Sequence, residues 1–468
     1  MVDKVKTIKD HESGNTPYLF PYSQWHRRRL KMRKISLCVA VTILCMSLIA
    51  GFSPVSCKQP AEVTIKFVTK IWDTPQAKNN KQLAQKFEEA NPNINVKVTT
   101  IPWGQAYEKF TSMIMAGDIP HVAEGVDSET GLFDQLNIML PLTEDQITAL
   151  KEMGLDEIAF DVSTYSDGKI YNFPWLFWQY CIFYRKDRFQ EAGIRIPETT
   201  DELLEASQKL TNSKEGTFGF SWRGYGGLST MMPILMTYLG KTTWFDKDGN
   251  CVLDSPEGIA GIKWYYDLYK TSAPPESSSW GYDECSKAFW AGVTNMFANT
   301  SEVLKPTIER LGKDKVGVFR YPIGPSGKRY NLFSYLGYMR FKSDNPAENE
   351  ASWKFMKYLL SEESLKTWAD LRYSVPNAKV REVIYREEVY KPFGEELDRI
   401  DVIPVTYPYY LPEWQGFEFR SSEDIEALAI GDLTPAEVAK KWADEFTPSM
   451  KKFIKSHPDF DPLTGKMK

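Results

Sequence analysis

The sequence predicts an α/β protein with parallel-type sheets and more than one lobe. Two observations carry that prediction. The chain has 468 residues, more than one hydrophobic core usually organises. Beyond Cys57, its apolar pattern switches repeatedly between a two-residue and a 3.6-residue period, as strands alternating with helices require. Composition agrees: 42% hydrophobic and 25% charged residues make an ordinary globular mixture, whereas 14% aromatic is high enough to ask what the rings touch.

The first element is a targeting segment. Residues 1–34 hold nine Lys or Arg against three Asp or Glu, and residues 35–57 hold no charge, so the body beyond Cys57 carries −11 of a whole-chain net charge of −5. Met32-Arg33-Lys34 followed by "ISLCVAVTILCMSLIAGF" (Ile35 to Phe52) reads as an export signal. Translation starting at Met1 or at Met32 is equally compatible with it. "SPVSC" ends on Cys57 and resembles a lipoprotein cleavage box, with Pro54 where Leu is usual, so Cys57 is the expected lipidation site. The competing reading is a membrane anchor, although 18 apolar residues fall short of the ~20 that span a bilayer comfortably. An acidic body argues against nucleic acid, whose phosphates need clustered Lys and Arg.

Cys181, Cys251 and Cys285 are an odd, widely spaced trio that implies no disulfide framework. The four His are scattered, and no Cys or His pair has ligand spacing, so neither a metal nor a cofactor is expected.

Next, "EVTIKFVTKIWDTP" alternates like a strand, and "QAKNNKQLAQKFEEANP" reads as a helix with Leu83, Phe87 and Ala90 on one face, stopped at Asn91-Pro92. "NINVKVTTIPW", "GQAYEKFTSMIMAGD" and "IPHVAEGVD" repeat strand, helix, strand, which predicts a parallel sheet. Ligands of such sheets bind beyond the carboxyl ends of the strands. Those ends hold Trp72 with Asp73, then Trp103, then Asp127 with Glu129. A loop Trp is either a packing plug or a ligand platform, and two at equivalent positions bring the readings level.

"YNFPWLFWQYCIFYR" (Tyr171 to Arg185) packs eight aromatic side chains into one run. It is too short for a membrane span, and Arg185, Lys186, Asp187 and Arg188 close it at once. A helix ending near Gly193 follows, then another with Thr199 or Thr200 as its N-cap.

Six stretches together resemble the extracellular solute-binding proteins of bacterial ABC importers, especially the sugar-binding family that includes maltose-binding protein. They are "LAQKFEEANPNINVKV", "YEKFTSMIMAGDIPHV", the aromatic run through "PETTDELLEASQKLT", "SKAFWAGVTNMF", "VGVFRYPIGPSGK" and "NPAENEASWKFMKYLLSEESLKTWA", in the family's order. The resemblance covers nearly everything after Cys57. It implies a two-lobe periplasmic-binding-protein fold of type II. Residues 1–57 would be extension and signal, 58–178 with 320–343 lobe I, and 179–319 with 344–468 lobe II. Crossings between lobes would fall near Phe173 to Gln179, Val318 to Ile323 and Phe341 to Pro346.

A sugar ring shows C–H groups on its faces and hydroxyls on its edge, so its site needs flat aromatic surfaces and polar side chains. The stacking candidates are Trp72, Trp103, Trp175, Trp178, Trp222 and Trp414; the hydroxyl-binding candidates are Asp73, Asp127, Glu129, Arg223, Asn299 and Glu413. For each the competing reading is internal packing. Two departures from the family stand out: Glu302 occupies the neighbourhood of an expected aromatic, and His121 replaces an Asp, which reads as structural rather than metal-binding.

The expected function is extracytoplasmic capture of a mono- or oligosaccharide by lobe closure, with an ABC permease and a membrane lipid anchor as partners and a monomeric state. No catalytic motif is present: GxSxG and HExxH are absent, and "GYGGLS" (Gly224 to Ser229) is too degenerate to cradle phosphate. A secreted glycoside hydrolase and a carbohydrate-sensing surface receptor are the alternatives.

Overall fold

The computed structural model describes residues 62–71, 73–371 and 374–468; the leader, Cys57 and Trp72 lie outside them. Strand β1 (Val63–Ile71) alternates apolar and polar residues and pairs in parallel with β2 (Ile94–Pro102), from Val63↔Ile94 to Ile71↔Pro102. The helix Thr74–Ala90 connects them and buries Leu83, Ala84 and Phe87, while Ala90 lies exposed at its end. Its N-cap is Asp73, whose Oδ1 accepts the Gln76 N–H at 2.7 Å. After the helix Ala106–Met115, β3 (Val122–Val126) adds to the other edge of β1 in parallel. The expected strand, helix, strand, helix, strand unit is therefore present.

Both sheets are mixed rather than parallel. In the first, the order is β10-β9-β3-β1-β2 and β4 (Asn172–Gln179) pairs with β9 (Arg329–Arg340). β9 runs antiparallel to both β3 and β4 because it enters from the second sheet and returns along the first. β10 (Val402–Val405) pairs with the opening residues of β9 in parallel. The second sheet has the order β6-β7-β5-β8, comprising Phe218–Ser221, Thr294–Asn299, Cys181–Arg185 and Val316–Phe319. There β6 and β7 are parallel, and β5 is antiparallel to β7 and β8.

The chain leaves the first sheet at Tyr180, between β4 and β5, and comes back between Phe319 and Arg329. The third crossing lies later than the resemblance implied. The helix Pro346–Leu359 packs on β1, with Phe355 edge-on to Phe67 at 5.1 Å and to Phe87 at 5.0 Å. Asn79 donates to the Thr367 hydroxyl at 2.9 Å. Residues 346–370 thus belong with lobe I, because their apolar face matches the face that β1 leaves open. The helices Trp414–Ile430 and Pro435–Ser456 join the second lobe, where they pack on the helix Pro256–Ser272.

Thr199 caps the helix Thr200–Lys209 in a capping box with Glu202. His121 is structural. Its Nδ1 accepts the Lys66 N–H at 2.8 Å, which leaves Nε2 to donate to Glu348 at 3.0 Å. Cys181, Cys251 and Cys285 are buried free thiols. Among the described residues no helix is long and apolar enough to cross a membrane.

Candidate functional site

Parallel strands end together, so their carboxyl ends form one edge on each sheet. In the first sheet that edge is Ile71, Pro102 and Val126. In the second it is Ser221 and Asn299, joined by the start of β5 through the pair Cys181↔Asn299. The chain crosses between the sheets at Tyr180, one residue before Cys181, so the crossing enters the second sheet at this edge. This is where an open α/β sheet offers loops to a ligand.

On the first lobe the edge carries two rings. Trp103 is 39% exposed and Trp178 is partly buried; their centroids lie 5.5 Å apart at 80°. Asp73, partly exposed, is the helix cap described above. The other acids predicted here do not face solvent. Lys70 and Glu129 form an ion pair with side chains 1% and 3% exposed, and the Lys70 ammonium lies 4.8 Å from the centre of the Phe110 ring. Glu129 Oε2 also accepts the Val126 N–H at 3.0 Å. Asp127 accepts the Tyr409 hydroxyl at 2.9 Å and the Ser128 N–H at 2.8 Å. Its pKa is pushed up to about 6 by burial. Glu124 beneath them accepts the Lys70 N–H at 2.7 Å, and burial raises it to about 8. Asp127 and Glu129 therefore brace the strand ends instead of offering a free carboxylate.

On the second lobe Arg223, Tyr180, Tyr282 and Glu302 converge. Arg223 is partly buried, hydrogen-bonded to the Tyr225 carbonyl at 3.2 Å, and its guanidinium lies 6.0 Å from the centre of the Tyr282 ring. Burial first, and then the Glu302 carboxylate and Tyr180, hold the Tyr282 phenol well above its ordinary range. The glycines after Arg223 serve packing: a Cβ on Gly224 would sit 1.6 Å from the Ser278 carbonyl oxygen. The Gly226 N–H is tied to the Ser422 hydroxyl at 2.9 Å.

The remaining predicted residues are internal. Trp175 is fully buried, stacked on Tyr338 at 6.0 Å and against Trp368 at 4.3 Å. The pairing register shifts between Pro174 and Leu176, on either side of it. Trp222 is fully buried, donates to the Tyr265 carbonyl at 2.9 Å, and lies 4.9 and 4.8 Å from the rings of Tyr265 and Tyr269. Trp414 is fully buried among Tyr407, Trp244 and Phe417. None of these three offers a ring face to a solute here. Asn299 is buried: its Oδ1 accepts the Thr300 N–H at 2.9 Å, and it sets the turn after β7. Glu413 accepts the Ser449 hydroxyl. Tyr180 and Tyr282 were missed. Tyr180 was signalled by its place at the crossing, whereas nothing in the local pattern singles out Tyr282.

Two lobes joined by crossing strands, each with aromatic and polar side chains near the carboxyl ends of its strands, have the architecture of a solute-binding protein. The model of bacterial extracellular solute-binding proteins matches residues 73–366, and the chain belongs to that family. It is 23% identical over 365 residues to the multiple sugar-binding protein of Streptococcus mutans, covering 74% of this chain and 80% of that one. Its fold is similar to the GacH receptor of Streptomyces glaucescens, solved unliganded and with acarbose, at TM-score 0.70 and 21% identity, covering 84% and 99% of the two chains. It is also similar to an ABC transporter solute-binding protein of Agrobacterium radiobacter solved with ribitol, at TM-score 0.69 and 19% identity, covering 84% and 100%.

Proposed function

We propose that this protein captures a sugar or polyol outside the cytoplasmic membrane and delivers it, chemically unchanged, to the permease of an ABC importer. The observation that carries the reading is the Trp103–Trp178 pair at the strand ends of one lobe, with Arg223, Tyr180, Tyr282 and Glu302 at those of the other. Aromatic faces suit the C–H surfaces of a sugar, and the polar group suits its hydroxyls. The names of the relatives support the same ligand class.

Closure follows from contacts on both lobes. A solute that touched one lobe alone would bind open and closed forms equally and shift nothing. One that bridges the two groups gains contacts only when the lobes approach. The closed form is what the permease would select. Cys57, outside the described residues, would carry the lipid that holds a monomeric protein at the membrane.

The test is a thermal-shift screen of the full chain with maltose, tagatose, ribitol and mannitol, followed by a reducing-end assay on oligosaccharides. Stabilisation without cleavage supports the reading. Cleavage overturns it in favour of a glycosidase, which needs two carboxylates about 5 to 9.5 Å apart across the bond.

A further inference from the structure

Beyond the crossing strands, the two lobes are tied by the end of the chain. Its last residues form a hairpin, Phe460–Asp461 with Lys466–Met467, that is built onto the second lobe. The Thr242 and Thr243 hydroxyls, just after the helix Leu228–Leu239, donate to the Leu463 and Pro462 carbonyls at 3.0 and 2.7 Å. The Phe460 ring lies 5.0 Å from that of Phe453 in the helix Pro435–Ser456. From this base Lys466 reaches the first lobe, where its ammonium donates to the Asp161 carbonyl at 2.8 Å. Asp161 stands on the helix Glu157–Ser163, which meets β4 through Phe160 and Phe173, 5.0 Å apart.

Three features mark this as a contact that parts. It is loosely filled: a cavity of about 170 Å³ lies beside it, walled by Ser166 and Tyr335 of the first lobe, by Thr406 and Tyr410 where the chain passes to the second, and by Lys466. A packed interior has few voids larger than a water molecule. It is also wet, since the side chains of Asp161 and Arg399, paired with each other beside Lys466, are 48% and 37% exposed. Finally, Arg399 and Asp401 hold φ of 56° and 53°, left-handed values that cost a residue with a Cβ and gather at switch segments.

Strand register sets the tie against the paired tryptophans. Across the β4–β9 ladder that joins the lobes, Trp178 pairs with Ser334 and Phe177 with Tyr335. Directly paired side chains share a face and successive ones alternate, so Trp178 and Tyr335, on the cavity wall, project to opposite sides. A rotation that narrows the space over Trp178 widens the gap on the Tyr335 side. Closure and the Lys466 contact therefore exclude each other.

We propose that Lys466 is a positioning residue for solute capture: its bond to Asp161 favours the open lobes and is given up when they close. This rests on the capture reading above and adds what opposes closure. A solute selected by the closed form binds more weakly in proportion to the closed fraction of the free protein, so releasing the tie tightens binding.

The test uses the full chain as wild type, K466M and K468M. Met keeps the apolar stem and drops the ammonium, and Lys468, exposed in the same tail, is the control. X-ray scattering without solute should give K466M a smaller radius of gyration than wild type or K468M. In calorimetric titration with maltose, tagatose, ribitol and mannitol, a probe that binds wild type should bind K466M about three- to tenfold more tightly and K468M equally. A structural role alone predicts the opposite sign, because a damaged lobe contact weakens binding. An unchanged radius, or affinity that is unchanged or weaker in K466M, overturns the role of Lys466 and leaves the carbohydrate reading standing. If no probe binds wild type, the carbohydrate reading falls and the scattering alone decides for or against the tie.

Discussion

Lys70 and Glu129 are ion-paired beneath the ends of β1 and β3, both almost sealed from water. Neither charge is solvated, so the pair is held by mutual attraction, the Phe110 ring and the Val126 N–H. Removing one partner strands the other. Lys70→Met is expected to destabilise by about 3–5 kcal/mol in urea unfolding. The double variant Lys70→Met, Glu129→Leu should recover most of that, short of the orphaned Val126 N–H. A double variant no more stable than the single one would show that the pair is not what holds these strand ends.

Glu124 predicts a pH dependence whose sign is unusual for an acid. Burial raises its folded pKa to about 8, above that of the unfolded chain, so folding favours the protonated form. The resulting stability is complete below the ordinary carboxylate range and is lost as pH rises through about 8. Asp127, at about 6, and Glu302, at about 7, act in the same direction. The melting temperature should therefore decline from pH 5 to pH 9. Glu124→Gln should be the more stable protein at pH 9 by about 1–3 kcal/mol, since a neutral amide carries no desolvation cost and Asn80 Oδ1 lacks a partner that the new NH2 can supply. Wild type and variant melting alike at pH 9 would refute this.

The tryptophans should divide into two groups. Trp222→Ala and Trp414→Ala each remove a fully buried ring and should cost about 3–5 kcal/mol. Trp103→Ala, at a 39% exposed position, should change stability by less than about 1 kcal/mol yet weaken solute binding about tenfold or more. Parallel denaturation and titration of the three variants separates the groups. Loss of binding without loss of stability in Trp222→Ala would contradict the assignment.

Arg381 offers a test of the segment after residue 374. Its guanidinium is 1% exposed, pairs with Asp156, donates to the Val375 carbonyl at 2.9 Å and reaches Asp398 at 3.3 Å. It thereby ties the helix Ala378–Tyr385 to the first lobe. Arg381→Lys keeps the charge but loses the fork, so about 2 kcal/mol or more of stability should go, read by denaturant midpoint. An unchanged midpoint would mean that the fork is redundant.

The parallel unit β1 to β3 was legible because burial on one face imposes a period that local composition records. Its strand ends were legible as a candidate site because strand direction fixes which edge collects the loops. Trp103 was expected there on that ground, and Trp178 on the resemblance to the family's crossing strand. The depth of each side chain was not legible. Trp175 and Trp178 stand three residues apart in one strand, yet the first lies in the core against Trp368 while the second meets Trp103. The acids divided in the same way: Glu129 lies behind the edge with Lys70, and Asp73 caps a helix at the edge, partly exposed. By itself the sequence determined the family and the two lobes, and it pointed to the edge at which a solute is expected. The tertiary structure alone decided which rings and carboxylates reach that edge, because exposure depends on neighbours hundreds of residues away, such as Trp368 over Trp175 and Tyr409 over Asp127.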